Sequence, residues 1–196
     1  MQARSRLLPL LRSQLLGELL AWICLHPESS YSVTELAQRL GASQSTVSRE
    51  ADRLVEAGLV REVRRGNLRL LRFESDNPLA RPLTELMALT YGPAPVLAEL
   101  LPAVDGVAEA YIHGSWAARY AGEAGPPPRD VDVLVVGDAD DDELADAATA
   151  AERLLGREVN MHRLSTEAWH STAGDPFLTS VRSRPIYPLV KPEASS

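Results

Sequence analysis

Apolar and polar positions along the chain change period several times, and each change marks an element. Leucines dominate Leu7 to Leu25 and cover more than one side of a helix, which predicts a long helix packed against more than one surface. In "YSVTELAQRLGASQSTVSREADRLVEAGLV", Ser32 followed by Glu35 forms a capping box that opens a short helix through Leu40, and Gly41 ends it. Ser43 caps the next helix, where Val47, Ala51, Leu54 and Val55 form an inward stripe. After Gly58 the period falls to two. "LVREVRRGNLRLLRF" predicts two strands about a Gly66-Asn67 turn, since both residues tolerate the positive φ of a tight hairpin.

The prolines 78, 82, 93, 95 and 102 then frame two short helices, one from Pro-Leu-Thr-Glu to the Gly92-Pro93 stop and one over Val96 to Leu101. Val107 to Ile112 alternates as a strand, and His113-Gly114-Ser115 turns directly into a helical run, "WAARYAG". An apolar strand over Val131 to Val136 opens with Asp130 and Asp132, and "REVNMHRL" reads as a later strand. "DADDDELADAA" places acids at a helix start, where they favour the dipole, and lacks the Gly and terminal Glu spacing of a calcium loop. The end, "DPFLTSVRSRPIYPLV", predicts a closing helix and a proline-limited strand before a disordered tail.

These breaks predict four regions: residues 1–75, a helical connector over 76–103, an α/β region over 104–190, and the tail 191–196. Charge separates the first region from the rest. The net charge of −7 averages 11 arginines against 8 acids in residues 1–75 with 9 basic residues against 19 acids thereafter. Arginine supplies nearly all the positive charge, a bias that fits a high-GC bacterial genome and decides nothing about function. Cys24 alone cannot form an intramolecular disulfide, which suits a reducing cytoplasm. The arginine- and leucine-rich start resembles a signal peptide superficially, yet Arg12, Gln14 and Glu18 interrupt it, so neither export nor a membrane partner is expected.

Two capped helices joined through Gly-Ala-Ser form a helix-turn-helix. The second presents Gln44, Ser45, Thr46, Ser48, Arg49 and Arg53 outward, a polar face suited to base edges in a major groove of double-stranded DNA. The hairpin adds Arg61, Arg64, Arg65, Arg69 and Arg72 as a wing over phosphates. "VSREADRLVEAGLVREVRRGNLRLLRF" resembles the winged helix-turn-helix domains of ArsR- and MarR-type bacterial transcriptional regulators. The bland alternative is a protein-interaction winged helix whose arginines are a solvated face. Metal sensing of the ArsR kind would need Cys or His clusters, which this region lacks.

Asp130 and Asp132 project to the same side of their strand. Neighbouring carboxylates resist joint ionisation unless a cation lies between them, and magnesium prefers one or two carboxylates plus phosphate oxygens. Strand, Gly-Ser, helix and then Asp-Val-Asp, carried by "HGSWAARY" and "PRDVDVLVVG", resembles the minimal nucleotidyltransferase domain of the polymerase-beta superfamily over residues 104–190. The resemblance implies that Gly114 and Ser115 hold nucleotide phosphates and that Asp130 and Asp132 bind magnesium; Arg119, one helical turn beyond Ser115, adds a phosphate contact. It also implies a third carboxylate on a later strand, where Asn160 stands instead. An amide takes no proton at neutral pH, so Glu158, on the same face by alternation, becomes the substitute catalytic candidate, with His162 behind it.

The expected architecture is α/β of the α+β kind: an N-terminal winged helix-turn-helix and a C-terminal nucleotidyltransferase-like mixed sheet with flanking helices. The expected function is a cytoplasmic, homodimeric DNA-binding regulator whose second domain binds an NTP with magnesium. The alternatives are an active transferase moving NMP to a protein, RNA or small hydroxyl compound, and an assembly domain without ligand.

Overall fold

The computed structural model describes residues 13–66, 68–171 and 175–191. Residues 7–12 of the expected first helix, Asn67 of the hairpin turn and residues 192–196 of the expected tail lie outside that set. The chain forms two compact units, Met1–Gly92 and Pro93–Ser196. Mixed helices and two sheets make the fold α/β in the broad sense.

In the first unit, α1 (Gln14–Leu25) starts where the Ser13 hydroxyl accepts the Leu16 N–H. It buries Leu19, Leu20, Ala21, Ile23, Cys24 and Leu25, so its apolar surface meets more than one neighbour. Strand β1 (Ser30–Ser32) leads into α2 (Val33–Arg39), which the capping box opens: Ser32 N–H donates to the Glu35 carboxylate at 2.7 Å and Glu35 N–H donates back to the Ser32 hydroxyl at 3.2 Å. Gly41, at φ +60°, releases the chain into α3 (Gln44–Glu56), capped by Ser43. Val47, Ala51 and Leu54 face inward as expected, with Val55 half-buried at the margin.

The hairpin pairs β2 (Val60–Arg65) with β3 (Leu68–Phe73), Arg65 facing Leu68 across the turn. β1 adds to the other side of β3, giving the order β1-β3-β2. Val60, Leu71 and Phe73 root the hairpin in the core. Helix α4 (Ala80–Tyr91) packs on α1 and buries Ala80, Met87 and Ala88; it begins two residues before Pro82, whose missing N–H costs nothing in a first turn.

The second unit opens at Pro93 with α5 (Pro93–Leu100) and a single 3₁₀ turn, Leu101–Ala103. The stretch 80–103 has the length and hydropathy of a membrane span, but Gly92-Pro93 breaks it, and Met87, Ala88, Ala94, Val96, Leu97 and Leu101 are buried within the protein. Strand β4 (Val107–His113) runs into α6 (Gly114–Tyr120), followed by β5 (Asp130–Gly137), α7 (Asp141–Leu155) and β6 (Glu158–Leu164). Asp140 caps α7 by accepting from Asp142 and Glu143 N–H, with Asp141, Asp142 and Glu143 in the first turn. After α8 (Thr166–His170) and α9 (Pro176–Arg182), β7 (Tyr187–Val190) returns beside β4.

The sheet order is β6-β5-β4-β7, with β5 and β6 parallel and the other pairs antiparallel. Alternation divides β5 between two layers. Val131, Val133 and Val135 are fully buried on one side of β5, while α6 packs on β5 and α7 on β6. Leu134 and Val136 point the other way, into a cluster with Trp169 of α8 and Leu178 and Val181 of α9. Asp130 and Asp132 continue that second row beyond the cluster.

Candidate functional site

Helix α3 and the wing carry the residues expected at DNA. Gln44, Ser45 and Arg49 are exposed at the N-terminal end of α3, while Thr46 and Ser48 are half-buried. The Ser43 hydroxyl, already accepting the Thr46 N–H, also meets the Ser45 and Thr46 hydroxyls at 3.0 and 2.8 Å. This cluster fixes the first turn of the helix. Arg64 and Arg65 are exposed at the wing tip, and among the described residues neither they nor Arg49 form an ion pair.

Four of the expected arginines are already engaged, Arg72 by donating from Nε to the Pro27 carbonyl at 3.4 Å. Arg53 donates to both oxygens of the buried Glu50, at 2.7 and 2.8 Å. Arg69, on β3, pairs with Asp52 of α3 and Glu62 of β2 and reaches the Ser48 hydroxyl at 3.4 Å. Its acidic partners, Asp52 first, hold its proton more tightly than usual. Arg69 thus joins the outward helix to the wing. Arg61 lies 3.7 Å from Glu74.

In the second unit the strand register brings the expected acidic residues into rows. Asp132 lies between Asn160 on β6 and His113 on β4; Asp130 lies beside Glu158. The next row is His162, Leu134 and Tyr111, where the apolar cluster begins. No slip in the β5–β6 pairing brings Glu158 opposite Asp132, so the amide holds that position. Asp130, Glu158 and Asn160 are exposed and Asp132 is half-buried.

Gly114 meets Asp132 directly. Its φ is +67°, and a Cβ there would stand 2.7 Å from Asp132 Oδ2, so a side chain in the turn after β4 would be strained and would displace that carboxylate. Ser115 follows, exposed, at the start of α6. Arg119 is turned into the loop after α6: it donates to the Glu123 carbonyl at 2.8 Å, and its guanidinium occupies the space a side chain on Gly125 would need. Its Nε is buried without a hydrogen-bond partner.

Among the described residues no group of three or more His, Cys, Asp or Glu is placed to hold a metal. An all-protein cage is therefore not what the acidic edge offers. Two same-face carboxylates beside a bare glycine turn do fit magnesium, a hard cation that takes one or two carboxylates and completes its shell with phosphate oxygens and water.

Phe177, which no sequence pattern marks, stands beside this edge. Its ring lies 5.9 Å from His113 and 4.9 Å from His162, and the residue is 38% exposed. Burial pushes the His113 imidazole below its usual range; Asp132 opposes that shift and His162 adds to it. Alternation places both histidines on the face of Asp132. Nothing local to "DPFLTS" signals that a closing helix brings a ring there.

Helix, capped helix, outward-facing capped helix and basic hairpin make the first unit a winged helix-turn-helix domain. Residues 18–67 match the MarR family, so the N-terminal region carries a MarR-family winged-helix domain of the transcriptional-regulator kind. Solved structures similar to the chain include the transcriptional regulator BldR from Sulfolobus solfataricus (24% identity, TM-score 0.38, 51% of this chain and 69% of that one). Another is MepR, a transcription regulator of the Staphylococcus aureus multidrug efflux pump MepA (15% identity, TM-score 0.37, 43% and 61%). A third is a MarR family protein from Bacillus stearothermophilus (23% identity, TM-score 0.33, 50% and 65%). No curated protein matches the chain.

Proposed function

We infer that the protein is a DNA-binding transcriptional regulator whose second unit binds a nucleotide with magnesium. The observation that carries the DNA-binding part is the exposed, acid-free set Arg49, Arg64 and Arg65 on α3 and the wing of a MarR-family domain. Helix α3 offers Gln44, Ser45 and Arg49 to base edges, and the wing arginines neutralise phosphates. Homodimerisation belongs to this reading, because two half-sites multiply affinity and match a two-fold operator.

In the second unit, Asp130 and Asp132 are the residues that would hold magnesium, and half-buried Gly114 and exposed Ser115, at the start of α6, would meet the phosphate oxygens. Bound there, magnesium would neutralise carboxylates and phosphates together. The pairing of Asn160 with Asp132 favours binding over transfer, since an amide cannot accept the proton of an attacking hydroxyl. Occupancy would alter DNA affinity only to the extent that the ligand prefers one of two protein states.

Gel shifts against genomic fragments, with and without NTP and magnesium, test this function. The expected result is retardation that weakens with salt and changes with ligand. Failure to retard any fragment would remove the regulator reading, and label transfer from NTP that Asp130→Asn and Asp132→Asn abolish would replace the sensor with a transferase.

A further inference from the structure

The apolar cluster on the acidic face of the second sheet uses Leu178 and Val181 of α9, whose buried side points at Leu134 and Val136. Phe177, one residue earlier, leaves that cluster. Its ring instead stands at the border where the covered rows end, against His113 in the Asp132 row and His162 in the row behind. The His113 contact is edge-on, with planes at 84°, and the His162 contact is tilted at 59°. Two imidazoles thus brace a phenyl ring from the side of the sheet, and Phe177 as a residue remains exposed.

Rows on one strand face are spaced by about 7 Å, two residues of strand rise. The ring therefore lies within about one row of Asp132. A ligand with an anionic end at the carboxylate row and a flat ring at the next row matches that layout. Aromatic side chains take any base on their π face, and alanine substitution at such a contact costs roughly five- to hundredfold in affinity.

We propose that Phe177, braced by His113 and His162, is the stacking wall for the base of the nucleotide whose phosphates and magnesium meet Gly114, Ser115, Asp130 and Asp132. This rests on the nucleotide reading above and adds the part of the ligand that is recognised. It assigns the site to a nucleotide rather than to a bare polyphosphate, with little discrimination among the four bases.

Titration calorimetry of the full chain with ATP, GTP, CTP, UTP and inorganic tripolyphosphate, each with magnesium, tests it. The expected result is that every NTP binds at least tenfold more tightly than tripolyphosphate. Phe177→Ala should erase that advantage while leaving tripolyphosphate affinity unchanged, and Phe177→Trp should retain it. Phe177→Leu, which keeps bulk without a π face, should behave as Phe177→Ala and serves in its place should the alanine variant fold poorly. An NTP advantage that survives Phe177→Leu or Phe177→Ala in a folded variant, or an equal loss for NTP and tripolyphosphate, overturns the stacking wall alone. Absence of binding by NTP and tripolyphosphate alike overturns the nucleotide reading and the wall with it.

Discussion

Arg69 on the wing and Asp52 on α3 form an ion pair across 17 residues of sequence, and Glu62 shares the same guanidinium. The sequence places Arg69 among phosphate contacts; the structure occupies it with holding the hairpin against the outward helix. These are different jobs with different signatures. Arg69→Ala should weaken DNA binding without reducing the steepness of its salt dependence, because no phosphate contact is lost. Asp52 and Arg69 are 58% and 30% exposed, so the stability cost should be about 1 kcal/mol or less. Binding isotherms at several salt concentrations, with a urea melt beside them, check both statements.

The Gly114–Asp132 contact yields a two-part prediction. Gly114→Ala should destabilise the fold by about 1–2 kcal/mol, because alanine is strained at φ +67°. It should also push the Asp132 carboxylate aside and weaken NTP binding. In an Asp132→Ala background the strain remains and only the clash vanishes, so a double-mutant cycle on urea stability should show a coupling smaller than the single-variant cost.

The capping box of α2 predicts an acid-sensitive increment of stability. Hydrogen bonds from the Ser32 backbone and then its hydroxyl hold the Glu35 carboxyl below its ordinary range. Its folded value lies below its unfolded one. The stabilisation is therefore complete above the unfolded value near 4.5 and is lost as pH falls through the folded value. Glu35→Gln should flatten that limb of a pH–Tm profile, and Ser32→Ala should cost about 1 kcal/mol at neutral pH.

Ligand linkage gives a further test of the acidic edge. A nucleotide that binds only the folded chain stabilises it by about 2.7 kcal/mol at a hundredfold excess over Kd. Thermal melts with NTP and magnesium should show a rise in Tm that Asp130→Asn and Asp132→Asn each remove and that Glu158→Gln, beside Asp130 but outside the proposed magnesium pair, largely preserves.

What the sequence discloses is local. The Ser32–Glu35 box, the Ser43 cap, the hairpin about Gly66 and the Asp130–Asp132 alternation depend on residues within a few positions of each other, and periodicity or side-chain chemistry reveals them. Strand β1 has only three residues, and it is a strand because Tyr31 meets Leu71, a partner forty positions away. The commitment of Arg69 to Asp52, the turning of Arg119 into the Glu123 loop and the arrival of Phe177 between two histidines likewise follow from tertiary packing. Composition reveals which charges the chain owns. It does not say which are already paired.

The most direct test of the central claim is the salt dependence of DNA affinity for the full chain and its arginine variants, measured by fluorescence anisotropy on a fragment recovered by gel shift. Log affinity should fall linearly with log salt. The slope should shrink by about 1 for each of Arg49→Ala, Arg64→Ala and Arg65→Ala, and not for Arg69→Ala. Affinity that ignores salt, or a triple variant at Arg49, Arg64 and Arg65 that binds as the parent does, would contradict it.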